Sequence, residues 1–167
     1  TIKDGVAAVT EEMGTVTDGK GRTVWTRYTR PAQKELAFTE YATAADPQGA
    51  YTACLQMMIQ IGGGMGNASE LSAQTESFYE ALNEAFDGRA VDVSGLTISQ
   101  LIACYLPQGM PVMGILNGSP VLIVGYDAFN VTLYDPVLGS TYKMGQDTAN
   151  TSFEAGGSQF FTFIQAQ

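Results

Sequence analysis

The sequence has 167 residues, of which 45% are apolar and 15% charged, and its formal net charge is −9. This length and apolar content suit a single globular domain with a substantial core and exclude an intrinsically disordered chain. No apolar run approaches the roughly 20 residues of a membrane-spanning helix, so no membrane insertion is expected. Nucleic acid and anionic membrane surfaces both reward clustered cations, and the acidity therefore excludes them as partners. We interpret the acidity as the solubility charge of an extracellular or cell-surface bacterial domain, with no targeting signal visible in this sequence.

Residues 1–45 differ in composition from the rest of the chain. They contain six of the eight basic residues and the only tryptophan. Two strand-like segments, residues 5–16 and 23–30, flank the turn sequence DGKGR at residues 18–22, and Pro31 ends the second segment. We predict that residues 1–45 form an N-terminal β-hairpin extension and that residues 46–167 form the main domain.

Three helices are predicted in the first half of the main domain. The first begins near Gly49 and runs through AYTACLQMMIQI to the glycines at 62–64, and its apolar content on nearly every face predicts burial. The glycine run follows a helix and lacks the Lys-Ser/Thr ending of a phosphate-binding loop, so it indicates a helix stop. A second helix is predicted over residues 69–86, and a third from the N-cap Thr97 up to Pro107.

The second half of the main domain has the pattern of strands. The short apolar runs PVMGIL, PVLIVGYD and NVTLYDP are separated by the turn sequences NGS and AFN. A weak strand at residues 140–143, a helix-like stretch at 147–155 and a final strand, QFFTFIQ, close the chain. Helices followed by an antiparallel meander are typical of an α+β fold.

The chain has no histidine and only two cysteines, Cys54 and Cys104. Both cysteines lie in apolar, helix-like segments, and we interpret them as buried free thiols; a disulfide would require their helices to lie side by side. This composition does not support a zinc site, and we expect no metal and no cofactor. A cysteine becomes a nucleophile at neutral pH only where a base or a cation holds it as thiolate, and histidine is the usual base.

The order of these elements and four short motifs resemble the C39-like peptidases. That papain-like group of cysteine peptidases includes the bacteriocin-processing, double-glycine-cutting enzymes. The motifs are GAYTACLQMM at 49–58, QGMPVMGIL at 108–116, SPVLIVGYD at 119–127 and VTLYDPVLG at 131–139. The resemblance covers roughly residues 48–165 and implies an α+β, papain-like fold in which helices pack on an antiparallel sheet.

The resemblance also implies where a catalytic site would lie. The family's nucleophilic cysteine stands at the start of the first helix, its general-base histidine opens the strand ending in Gly-Tyr-Asp, and an aspartate that orients the histidine ends the next strand. The matching positions in this chain are Ala50, Ser119 and Asp135, which would make a degenerate triad with no catalytic residue. Asp135 has an alternative role, because an aspartate before proline commonly caps a turn. Gln48 is the nearby candidate for the family's oxyanion-stabilising glutamine, but it lies too close to Ala50 to match.

Three hypotheses for the function follow. The first is a non-catalytic, pseudopeptidase domain that binds a peptide or protein, with Tyr51, Tyr126 and Asp135 as groove residues, since tyrosine offers apolar area with a hydrogen-bonding tip. The second is a structural or adhesive surface domain, without a groove ligand, in a larger secreted polypeptide. The third is an active cysteine peptidase, whose nucleophile would be Cys54, one helical turn after Ala50. The missing histidine favours the first.

Overall fold

A computed structural model describes residues 31–164 in full and, before them, only the backbone of strands at 2–3, 6–7, 10–17 and 23–30. Strands β1 (Ile2–Lys3) and β2 (Val6–Ala7) pair with each other in antiparallel fashion. Strands β3 (Thr10–Thr17) and β4 (Thr23–Pro31) also pair antiparallel, which confirms the predicted hairpin although its first strand begins at residue 10. The predicted turn at residues 18–22 lies outside the described residues.

The main domain is built on a seven-stranded antiparallel sheet, with strand order β10-β9-β8-β7-β11-β6 and β5 paired to β8. Its strands are β5 (Lys34–Glu35), β6 (Ala90–Asp92), β7 (Val112–Leu116), β8 (Ser119–Tyr126), β9 (Asn130–Asp135), β10 (Ser140–Gly145) and β11 (Phe160–Phe163). The predicted meander of β7, β8 and β9 is confirmed. Its first turn is tight because Asn117 and Gly118 adopt φ angles of 53° and 77°, the conformation that two-residue hairpin turns require.

Five α-helices and one short 3-10 helix are described. They are α1 (Pro47–Gly62), α2 (Ala68–Gln74), α3 (Phe78–Ala85), α4 (Ile98–Cys104), the 3-10 helix Leu106–Gln108 and α5 (Gln146–Ala155). Helix α1 begins where the Asp46 side chain accepts a hydrogen bond from the backbone N–H of Gly49, and it ends at Gly63 in the left-handed conformation. Helix α4 begins at the predicted N-cap, Thr97. No helix within residues 31–164 is long and apolar enough to cross a membrane.

The prediction of one continuous helix over residues 69–86 is wrong, because the chain forms α2 and α3 with a break between them. Thr75 is extended, at φ −119° and ψ 162°, and its hydroxyl donates to the carbonyl of Leu71. Ser77 is also extended, and its Oγ accepts a hydrogen bond of 3.1 Å from the backbone N–H of Glu80, which makes Ser77 the N-cap of α3. Short hydroxyl side chains bond to nearby backbone in this way and compete with the helix.

The core has two layers of helices, one on each face of the sheet. Successive residues of β11 show the division, because Phe160 packs on Phe153 of α5 whereas Phe161 contacts Phe78 of α3. Helix α1 shares the face of α3, since Gly62 at its end lies against Phe163. Helix α4 shares the face of α5 and joins it through a hydrogen bond from the N–H of Ile98 to the Asn150 side chain.

Residues 36–44, here called the strap, cross from the hairpin to α1 and pack on the main sheet. The N–H of Leu36 donates to the carbonyl of Val124 at 2.8 Å, and the Leu36 side chain is buried. The Tyr134 hydroxyl donates to the carbonyl of Ala42 at 2.6 Å. The strap thus lies on the main domain although it precedes the predicted boundary at residue 45, and the division at that residue stays a prediction.

Candidate functional site

Two of the three positions implied by the resemblance lie on neighbouring strands of the sheet. Ser119 is the first residue of β8 and Asp135 is the last residue of β9. Because β8 and β9 run antiparallel, with Leu122 opposite Tyr134, these two residues lie at the same end of the sheet. The motif order in the sequence thus brings the two positions close together in the fold.

The third position, Ala50, is fully buried in the first turn of α1. The strap connects this turn to the end of β9. The N–H of Ala44 donates to the carbonyl of Pro136 at 2.9 Å, and the Ala44 Cβ lies 3.4 Å from the point where a Cβ on Gly49 would stand. The start of α1 therefore meets the same end of the sheet as Asp135.

Asp135 has the geometry of a turn-capping residue. Its Oδ1 accepts hydrogen bonds from the backbone N–H groups of Val137, at 2.9 Å, and Leu138, at 3.3 Å. Its own carbonyl accepts from the N–H of Gly139 at 2.7 Å, which closes the turn between β9 and β10. These hydrogen bonds agree with the alternative role predicted for Asp135, in which its side chain caps the turn that follows β9.

Ser119 is the position that the sequence resemblance pairs with the family's histidine. Its Oγ is buried and has no hydrogen-bond partner within the described part of the chain. A buried hydroxyl without a partner costs about 1–3 kcal/mol.

Cys54 lies one turn into α1 from Ala50 and is fully buried. Burial raises the pKa of the Cys54 thiol far above its ordinary value, and the Asp135 carboxylate raises that pKa further. The thiol is therefore protonated at neutral pH and out of contact with solvent, the state of an unreactive structural cysteine. Cys104 is also buried, but α4 lies on the opposite face of the sheet from α1, so the two cysteines are not bonded to each other.

A cleft of about 420 Å³ opens beside the first turns of α1, against the break between α2 and α3. It is lined by Gln48, Tyr51, Thr52, Ser72, Thr75, Glu76, Ser77, Phe78, Tyr79, Ile115, Gln159 and Phe161. Helices α1 and α2 are joined across it by a hydrogen bond of 3.2 Å from the Thr52 hydroxyl to the Ser72 hydroxyl. The break between α2 and α3, which the sequence analysis did not predict, therefore forms one wall of the cleft.

Aromatic rings form a connected surface along this cleft. The ring centroid of Phe78 lies 6.1 Å from that of Tyr51 and 6.0 Å from that of Phe161, and Tyr79 lies 6.3 Å from Phe161. All three pairs are tilted, the geometry in which the edge of one ring meets the face of another. Glu76 is the one charged residue among the lining residues. The cleft thus combines a large aromatic surface with a single carboxylate.

The structure separates the three predicted groove residues. Tyr51 lines the cleft, whereas Asp135 caps a turn. Tyr126 ends β8, far from Ser119; it is buried, and its hydroxyl donates to the carbonyl of Pro31 at 2.7 Å. It borders two smaller cavities of about 220 Å³ each instead of the cleft. Within residues 31–164, no three side chains of His, Cys, Asp or Glu come together as a metal site.

The architecture is similar to a solved structure of a Bacillus anthracis protein assigned to the C39-like peptidases. The two structures have a TM-score of 0.68 and 16% sequence identity, and the match covers 81% of this chain and 98% of that one. At this identity the likeness concerns the fold, and the predicted α+β, papain-like fold is confirmed. No protein-family model and no curated protein matches the sequence.

Proposed function

We propose that this chain is a non-catalytic domain of C39-like peptidase fold that binds an extended peptide, or an extended segment of a protein, in the cleft beside α1. The observation that carries the proposal is an open cleft beside the start of α1, where no side chain could act as a nucleophile. The sequence resemblance pairs Ala50 with the nucleophile of the peptidases, and the thiol of Cys54, one helical turn further along α1, is buried and has a strongly raised pKa. The acidic composition supports an extracellular or cell-surface bacterial location as part of the same proposal.

The cleft has the chemistry that a peptide requires. A peptide offers alternating backbone donors and acceptors together with side chains that need apolar cover. The rings of Tyr51, Phe78 and Phe161 provide that cover, and the side-chain amide of Gln48, which also lines the cleft, provides a polar partner. The volume of about 420 Å³ lies within the range of ordinary ligand sites.

Hydrolysis of the bound peptide is not expected, because each group that the reaction needs is absent or inactive. A positioned general base typically contributes about 10²–10⁴-fold to such a reaction, and the chain contains no histidine to act as one. The buried Cys54 does not form a thiolate at neutral pH, and the Ser119 hydroxyl has no described neighbour to accept its proton.

The test is a binding screen with fluorescently labelled pentapeptides, including Gly-Gly sequences, followed by anisotropy and by mass spectrometry of the recovered peptides. We expect saturable binding to the wild-type protein, weaker binding to Tyr51→Ser, and intact peptides throughout. Phe129→Ser is the matched control, since Phe129 is 80% exposed and does not line the cleft. Failure of every peptide to bind would favour the structural or adhesive alternative, and cleavage would show that the domain is an enzyme.

A further inference from the structure

The main domain is acidic, and several of its carboxylates lie in the segment that forms one wall of the cleft. Residues 31–164 include three cationic and thirteen acidic residues, a net charge of −10. The segment 68–87, which forms α2, α3 and the break between them, has no lysine or arginine. It contributes five of the carboxylates, those of Glu70, Glu76, Glu80, Glu84 and Asp87. One wall of the cleft is therefore negatively charged, and the potential there favours cations.

Within the cleft, Glu76 is the acidic group that is available to a ligand. Its side chain is exposed and makes no ion pair with any residue in the described part of the chain. Glu80, one helical turn further on, is already engaged, because its Oε2 accepts a hydrogen bond of 3.1 Å from the backbone N–H of Glu76. The Glu76 carboxylate is thus an acceptor at the cleft with its charge uncompensated.

From this arrangement we propose that the cleft selects peptides with a lysine or arginine side chain, whose cation lies between the Glu76 carboxylate and the aromatic rings. This inference rests on the proposed function and names its ligand class. A cation is attracted to the face of an aromatic ring as well as to a carboxylate, and Tyr51, Phe78 and Phe161 offer such faces. A carboxylate-bearing peptide would instead meet a wall of like charge.

The other polar groups that line the cleft do not favour one peptide side chain over another as strongly as Glu76 does. Several of them already form hydrogen bonds within the protein. Thr52 donates to Ser72, and the Gln159 amide donates to the carbonyl of Gly156 at 3.0 Å. The Thr75 hydroxyl donates to the carbonyl of Leu71 at 2.7 Å. The charge of Glu76 is therefore the feature that distinguishes one peptide side chain from another.

The experiment compares three labelled pentapeptides that differ only at the central residue: Gly-Gly-Lys-Gly-Gly and its glutamine and glutamate counterparts. We expect the lysine peptide to bind about two- to fivefold more tightly than the glutamine peptide, and the glutamate peptide to bind most weakly. The lysine advantage shrinks as NaCl rises from about 50 to about 500 mM, because salt screens exposed charges. Glu76→Gln abolishes the advantage, whereas Glu84→Gln, which removes a charge from the same segment outside the cleft, preserves it.

Each alternative outcome has a distinct meaning. Equal affinity for all three peptides, or an equal effect of Glu76→Gln and Glu84→Gln, overturns charge selection by Glu76 and leaves peptide binding standing. If none of the three peptides, and none in the wider screen, binds to the wild-type protein, the proposed function fails and this inference fails with it. Thermal melting by circular dichroism confirms that each variant is folded before its affinity is interpreted.

Discussion

Raising the pH above 9 should destabilise the protein through the buried thiol of Cys54. In the folded protein burial raises the pKa of this thiol far above its ordinary value of 9.0, whereas in the unfolded chain the thiol ionises near that value. Above pH 9 the unfolded chain therefore releases a proton that the folded protein keeps. The contribution to stability is fully present below pH 9 and decreases as the pH rises above it.

The size of this loss of stability follows from the difference between the Cys54 pKa in the folded and unfolded states. At pH 10, one unit above the ordinary pKa of 9.0, the Cys54 thiol alone should lower the free energy of unfolding by about 1.4 kcal/mol. Burial also raises the pKa values of Tyr134 and Tyr142, whose ordinary value is 10.0, so their effects have the same sign but begin about one pH unit higher. Between pH 8.5 and 10 the Cys54 contribution is therefore the difference between the wild type and variants that lack this thiol.

The assay is urea unfolding followed by circular dichroism across this interval, for the wild type, Cys54→Ala and Cys54→Val. The two variants change the packed volume in opposite directions and will shift stability at pH 7, but both remove the titrating group. We expect the fall between pH 8.5 and 10 to be smaller in both. If the free energy of unfolding declines in parallel in the wild type and both variants, the proposed effect of the Cys54 pKa is wrong. Rapid labelling of Cys54 by iodoacetamide in the folded protein would instead support the peptidase hypothesis.

Two further predictions concern packing and acid stability. Gly62→Ala should lower the Tm by about 2–4 °C in calorimetry, because a Cβ at Gly62 would overlap the ring of Phe163 and stand 2.7 Å from Cε1 of Phe86. The overpacking of about 1–3 kcal/mol outweighs the gain in helix propensity of up to about 1 kcal/mol, and a higher Tm would show that the two rings move aside. Asp127→Asn should be less stable than the wild type at pH 7 in urea unfolding, and the difference should shrink as the pH falls below 3.8. The N–H groups of Phe129 and Asn130 lower the pKa of Asp127 from 3.8, so its contribution is lost as the pH falls through that lowered value, and a constant difference would contradict this.

The elements that sequence analysis predicted well are those specified by local chemistry. The N-cap Thr97 predicted the start of α4 because its hydroxyl satisfies a backbone N–H that the helix leaves free. The turn at Asn117 and Gly118 predicted the hairpin because both residues tolerate positive φ. Strands β5 and β6 were not predicted, since each has only two or three residues and depends on pairing with a distant strand.

The candidate site, like the fold, could be predicted from the sequence only in part. The motif order predicted that Ser119 and Asp135 lie at the same end of the sheet, because two neighbouring antiparallel strands place the start of the first beside the end of the second. The cleft could not be predicted, because its aromatic wall combines Phe78 of α3 with Phe161 of β11, residues more than eighty positions apart. Ser77 carried the missed signal, since a serine followed by glutamate three positions later is typical of a helix start.

Strand β5 and the strap together limit where a transferable unit of this domain can begin, in evolution or in protein engineering. The carbonyl of Lys34 approaches β8 so closely that a Cβ on Gly125 would stand 2.7 Å from it, and Leu36 is part of the hydrophobic core. The side chain of Gln60 in α1 accepts a hydrogen bond of 2.6 Å from the N–H of Thr39 in the strap. A transplanted unit that began at residue 46 would leave these partners of β8 and α1 behind. The smallest transferable module therefore begins no later than Lys34.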